Sequence, residues 1–306
     1  MKKVLDFIIC IVIIVLCGFL IYENKEKFIM LKDIVLKTHS SQNLKSNEYK
    51  KGINYEFVKI HEGDTVKNKE DIKNTLYTYL DSGWDKYTFS CDKNYSSCIT
   101  DVKLVVDSNN YLTDISNYVH PFNTFNKINT QITKAGNITL EKTKRYSKEE
   151  IDKLNEKVNQ IYNENYDSSK NVKENIKIFH DYIINNTKYD KTFKKDQIDY
   201  TSLSSNAYGV LFNGLGICTG YTEAMQLFLE KLNVKNYRIS SSTHEWNLVY
   251  IEGKWLHLDL TWDDPLVSDG SDTITDKYFL IDTNTLKSFD DGEHEFDSET
   301  YKEANN

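Results

Sequence analysis

Residues 244–262, HEWNLVYIEGKWLHLDLTW, constrain the fold more than any other stretch of this chain. Apolar and polar side chains alternate on both sides of Glu252-Gly253, the pattern of two antiparallel strands joined by a two-residue turn. With that loop, Trp246 stands opposite Asp259 and Leu248 opposite His257. One face then carries His244, Trp246, Leu248, Tyr250, Trp255, His257, Asp259 and Thr261. The other carries Val249, Ile251, Leu256, Leu258 and Leu260, a core face. His244 and Asp259 become diagonal neighbours, about 7–8 Å apart at Cα and within reach of a His–Asp hydrogen bond. A three-residue loop would put them on opposite faces.

Upstream lies GLGICTGYTEAMQLFLEKL, residues 214–232. Gly214 and Gly216 supply a tight turn. Tyr221, Met225, Phe228 and Leu232 then form an apolar stripe at helical spacing, widened by Ala224, Leu227 and Leu229. Cys218 falls in the first turn of that helix, facing unpaired N–H groups and the positive end of the dipole, which favour a thiolate. Its own N–H is placed to bind a developing oxyanion. In chain order the three residues divide the work of acyl transfer. Cys218 attacks a carbonyl carbon, His244 takes and returns the proton, and Asp259 holds the imidazole. Each has a bland alternative: a small buried hydrophobe for Cys218, a backbone-bonded strand histidine for His244, and a carboxylate paired with Lys254 or a hydroxyl for Asp259. All three alternatives must hold together for the set to be accidental. His257 shares the face and is read as support; His180, on a helix flank, is read as satisfied or exposed.

The 306 residues suit one large domain or two smaller ones. With 39% hydrophobic and 27% charged residues the chain is globular, and a net charge of −8 argues against a nucleic-acid binder. Two lysines precede an apolar run, and from Val4 to Tyr22 is 19 residues. At 1.5 Å per residue this is roughly 28 Å, close to a bilayer core and longer than a signal-peptide core. The expectation is a membrane anchor through residues 4–22 with the body outside the cell, a cleaved secretory signal being the alternative. Export makes Cys91 and Cys98 candidates for a disulfide, two reduced buried cysteines being the alternative. Residues 23–50 read as a stalk and 51–145 as a small α+β domain, with strands at YEFVKI, DVKLVV and QITKAGNITLEKT and a helix at KEDIKNTLYTYLDSG. From 146 the pattern changes. Ser147 and Glu150 form a capping box, and Ile176, Phe179, Ile183 and Ile184 mark a second helix. Strands follow at NYRISSST, EWNLVYI and KWLHLDLTW, with one more in DKYFLIDTNTLKSF. No His/Cys set has zinc spacing. The acidic loop 263–276 lacks EF-hand spacing. No phosphate-cradling glycine loop is present, and no cofactor or metal is expected.

The stretches AYGVL…GICTGYTEAM, HEWNLVYIEGKWLHLDLTWDDP and the later YFLI resemble the transglutaminase-like superfamily over about residues 170–285. The resemblance implies an α+β, papain-like fold for residues 146–306, with the cysteine helix packed on an antiparallel sheet bearing His and Asp. It implies Cys218, His244 and Asp259 as the triad, with Tyr221, Trp246, Asn247, His257 and Trp262 binding substrate or supporting the site. Glu245 departs from the family's common Ala, and by alternation points to the face opposite His244. The expected activity is thiol acyl transfer on an amide bond of a protein or peptide, by hydrolysis or by transfer to an amine. A catalytically silent surface binding or assembly module is the competing expectation.

Overall fold

The computed structural model describes residues 22–25, 44–134, 136–192, 202–264 and 274–305. The anchor expected at 4–22 lies outside them except for Tyr22, as do most of the stalk and most of the acidic loop. Among the described residues, no helix is long and apolar enough to cross a membrane.

The N-terminal region is built on helix α1 (Lys69–Asp81), capped by Asn68, whose side chain accepts from Asp71 N. A four-stranded sheet in the order β1-β2-β4-β3 stands beside it: β1 (Thr65–Val66), β2 (Lys86–Cys91), β3 (Phe125–Ile132) and β4 (Asn137–Lys144). β3 and β4 form a hairpin, turning at Gly136 with φ +79°. Two expected strands are absent. DVKLVV is part of helix α2 (Cys98–Val106), because Cys98, Val102 and Val105 recur at helical spacing and are the buried face. YEFVKI runs as unpaired chain along α1. Side chains satisfy its backbone: Lys59 N donates to Asn74 Oδ1 and Ile60 N to Asn54 Oδ1. A short helix α3 (Asn109–Ser116) follows. Cys91 and Cys98 are joined by a disulfide with Cα atoms 5.9 Å apart, tying the end of β2 to the start of α2.

Helices α4 (Lys148–Asn165) and α5 (Val172–Asn186) each open with a capping box, Ser147/Glu150 and Asn171/Glu174. The short parallel pair β5 (Lys188–Tyr189) and β6 (Leu215–Gly216) leads into helix α6 (Cys218–Lys231). A three-stranded antiparallel sheet follows in the order β7-β8-β9: β7 (Asn236–Ser240), β8 (Glu245–Ile251) and β9 (Lys254–Leu258). Leu248 pairs with His257 and Ile251 with Lys254, so the β8–β9 loop has two residues. Glu252 at φ +52° and Gly253 at φ +83° give it the twist that closes a tight hairpin. β9 stops at Leu258, and Leu260–Asp263 form helix α7 instead of extending the strand. The expected last strand is also absent. Ile281 makes one bridge to His257, and Leu280, at φ +51°, breaks the extended path. Helix α8 (Thr283–Ser288) follows.

Both faces of the β7-β8-β9 sheet are covered. Val249, Ile251 and Leu258 pack with Met225 and Phe228 of α6 and Phe179 of α5. Trp246, Leu248 and Trp255 pack with Tyr55, Tyr118 and Leu76 from the N-terminal region and with Tyr301 near the C-terminus. The core therefore does not divide at residue 145. The stretch expected as a separate small domain supplies the layer behind the sheet.

Candidate active site

Cys218 is the first residue of α6, after Ile217 in extended conformation, and no side chain caps this helix end. The first-turn N–H groups are left for a ligand. Two close approaches fix the thiol. Gly214 takes φ +62°. At Gly220, a Cβ would lie 2.5 Å from the Ser204 carbonyl oxygen, which accepts from Ile217 N at 2.8 Å. The 204–206 loop therefore presses on the helix start only because residue 220 has no side chain. A buried ionic network holds that loop. Arg145 donates to Ser205 O and forms an ion pair with Glu223, its Nε 3.1 Å from Oε1, while Glu223 accepts from Arg238 Nη1 at 3.3 Å and from the Tyr146 hydroxyl. Glu245 faces this network, 3.8 Å from Arg238, on the side of β8 away from His244 as alternation requires. Burial raises its carboxyl above the usual range, with Arg238 opposing.

His244 ends the turn between β7 and β8. Ser241 N donates to His244 O at 2.9 Å, and His244 N donates to Ser241 Oγ at 3.1 Å. Its Nε2 lies 2.5 Å from Asp259 Oδ2, and the Cys218 side chain is close enough to help raise its basicity. With Nε2 committed to Asp259, Nδ1 is the nitrogen left for sulfur. Asp259 is fully buried and caps α7, its Oδ1 accepting from Thr261 N at 2.8 Å and Trp262 N at 3.3 Å. Burial acts to lower the basicity of His244. The Asp259 charge and hydrogen bond, with the contact to Cys218, outweigh it and raise the pKa to about 10. The Asp259 carboxyl is held well below the usual range. Burial opposes this, and the charge and hydrogen bonds of His244, then of His294, prevail.

The other residues singled out from sequence take structural places. Trp246 stacks on His244 with ring centroids 5.6 Å apart, and its Nε1 donates to His257 Nδ1 at 2.9 Å. His257 Nε2 in turn donates to Thr283 Oγ1 at 2.9 Å. Burial, then the neighbouring His294, lower the His257 pKa to about 3, so this ring is neutral and is not a base. Asn247 donates to Thr222 O of α6 at 3.1 Å, pinning strand to helix. Tyr221 is buried and donates to Asp264 Oδ2 at 2.6 Å, which removes it from any substrate surface. Trp262 is half-buried near His244. His180 is buried between Asp181 and Asp263 and joins α5 to α7.

Sequence reasoning missed two residues here. Tyr189 pairs with Gly216, and burial, then Cys218, push its phenol up to about 12. His294 Nε2 lies 2.8 Å from Asp259 Oδ2. Nothing in the spacing of DDGEHEF marks that histidine. His244, Asp259 and His294 are a cluster of potential metal-ligating side chains, with ligand atoms within 4.8 Å of one another. Their 2.5 and 2.8 Å contacts are hydrogen-bond lengths. Two ligands of one tetrahedral zinc stand about 3.3 Å apart.

Residues 159–260 match the family model of the transglutaminase-like superfamily, so the chain carries a transglutaminase-like core in a mixed α+β fold. Among solved structures it is similar to a transglutaminase at 15% identity, covering 50% of this chain and 47% of that one, with a TM-score of 0.36. It is also similar to a candidate cysteine protease from Cytophaga hutchinsonii at 15% identity, covering 49% of this chain and 65% of that one, with a TM-score of 0.29. The chain thus spans less than two thirds of the length of either structure. No curated protein sequence matches it.

Proposed function

With a transglutaminase-like core as premise, we propose that the chain is a thiol acyl-transfer enzyme acting on amide bonds of protein or peptide substrates through Cys218, His244 and Asp259. The observation that carries this reading is the placement of His244, bonded through Nε2 to the buried Asp259 at 2.5 Å with the Cys218 side chain as its neighbour. The chemistry follows from the geometry. The proton passes from Cys218 to His244, and the sulfur attacks the carbonyl carbon. The N–H groups of the uncapped α6 start receive the oxyanion. His244 then protonates the departing amine, leaving a thioester on Cys218. Water releases an acid; an amine releases a new amide. The Cys91–Cys98 disulfide supports an exported enzyme, since such bonds persist in oxidising compartments, and attachment through residues 4–22 is part of the same proposal.

The test is to trap the acyl-enzyme. A peptide library carrying glutamine and other amides is offered with and without a primary amine, and Cys218 is followed by intact and peptide mass spectrometry. A thioester on Cys218 that vanishes in Cys218→Ala supports the reading, and the product formed with amine present separates transfer from hydrolysis. A Cys218 that never acylates, with peptides binding unchanged, selects the silent binding module.

A further inference from the structure

His294 belongs to the C-terminal segment, beyond residues 159–260 that match the family model. It is buried, with both ring nitrogens engaged. Nε2 lies 2.8 Å from Asp259 Oδ2, and Nδ1 lies 2.8 Å from Asp291 Oδ2. Asp291 is itself fixed. Its Oδ1 accepts from Glu293 N at 3.1 Å and His294 N at 3.2 Å, and its Oδ2 accepts from Tyr278 Oη at 3.1 Å. Tyr278 stacks on the His294 ring, while Trp246 meets it edge-on and Trp262 at a tilt. The segment is fastened where His244 is fastened, because Phe296 bridges Ser241, whose hydroxyl accepts from His244 N.

A carboxylate has about four acceptor directions. On Asp259, two are filled by Thr261 N and Trp262 N at Oδ1, and the other two by His244 and His294 at Oδ2. Resting on the triad reading above, we propose that His294 is a positioning residue that locks the Asp259 carboxylate against His244, extending the chain of contacts to Asp291–His294–Asp259–His244–Cys218. Two carboxylate oxygens face this ring, and the contact that matters is the one at Nε2, where an N–H is donated to Asp259. The titratable groups facing the ring are His244, Asp259, Asp291, Tyr278 and His257, with Cys218 and Tyr189 beyond His244 and Asp259. The two carboxylates lie on opposite sides of the ring. Residues 51–145 acquire a role by the same logic, because Tyr118 Oη donates to Thr300 O and Asn117 Nδ2 to Tyr301 Oη, holding the segment down.

The test uses amide replacements in the full-length chain. His294→Gln places an N–H near the position of Nε2 and keeps the donor to Asp259. His294→Asn places it near Nδ1 and keeps only the donor to Asp291. The readout is iodoacetamide alkylation of the Cys218 peptide at pH 6, alongside circular dichroism. His294→Gln is expected within about threefold of wild type and His294→Asn lower by about ten- to a hundredfold, the cost of a misplaced catalytic group. Equal rates in the two variants, whether at the wild-type level or equally reduced, overturn the proposal, since only one of the two amides keeps the donor to Asp259. On the wild-type protein, ¹⁵N NMR of the His294 ring is expected to show hydrogen on Nε2; a bare Nε2 overturns it whether or not the variants fold. His244→Ala is run in parallel. If it alkylates like wild type, the triad reading fails, and the NMR still judges the His294–Asp259 contact separately.

Discussion

Replacing Asp259 with asparagine removes the negative charge on which His244, His294 and two backbone N–H groups converge. The amide oxygen can still accept from Thr261 N and Trp262 N. Its NH₂ group, however, takes the place of Oδ2 and faces two imidazoles, so His244 must present a bare Nε2. Its hydrogen then moves to the nitrogen facing Cys218, where the thiol proton has to go. The raising of His244 from its ordinary 6.5 to about 10 sets the scale. At about 1.36 kcal/mol per pH unit this is roughly 5 kcal/mol, or some three thousandfold in charging His244. Alkylation follows the thiolate fraction, which for an unassisted thiol of pKa about 8.5 is about 3% at pH 7, so the expected loss in Cys218 alkylation at pH 7 is about thirtyfold. The variant should keep the wild-type circular dichroism spectrum, and its residual rate should climb with pH as an unassisted thiol does. A folded Asp259→Asn protein within tenfold of wild type would refute the coupling of Asp259 to the thiol.

Further outcomes follow from the same contacts. Because His244 gains protons on folding, its contribution to stability is complete below about pH 6.5 and fades as pH rises towards 10. The difference in unfolding free energy between wild type and His244→Ala should shrink over that window in urea titrations, by no more than about 5 kcal/mol. Changing Cys91 and Cys98 to serine opens a crosslink with a sequence separation of 7, and should cost about 2.5 kcal/mol by chain entropy, read as a lower urea midpoint that reductant no longer changes. His257→Leu strands the buried Trp246 Nε1 and should cost about 1–3 kcal/mol in urea unfolding, while alkylation of Cys218 keeps its dependence on His244.

The residues that carried the sequence argument are those whose signal is local. The β8–β9 register follows from alternation and a two-residue turn, so Leu248 and His257 meet as the pattern dictates. The capping box at Ser147 is likewise written in four consecutive residues. DVKLVV misleads because β-branched composition outweighed its spacing: Cys98, Val102 and Val105 are three and four apart, and tertiary burial follows that period. YFLI misleads because Leu280 turns left-handed, which no residue type there announces. His294 could not be found by spacing at all. It reaches Asp259 across a sequence separation of 35 and a bridge between Phe296 and Ser241. Glu223 lies in α6, Arg238 in β7 and Arg145 between β4 and α4, so the network holding the Cys218 loop is invisible until these stretches pack. The shared packing is hidden for the same reason: the face of β8 that carries Trp246 and Leu248 needs a covering layer, and residues 51–145 provide it.

The central claim is that Cys218 works with His244, and the pH dependence of Cys218 alkylation tests it most directly. The wild-type and His244→Ala proteins are treated with iodoacetamide between about pH 4 and pH 10, and the Cys218 peptide is quantified at each point. The account predicts rapid alkylation of wild type persisting well below the free-thiol range near 8.5, and its loss in His244→Ala. A single ordinary thiol titration, identical in both proteins, would contradict it.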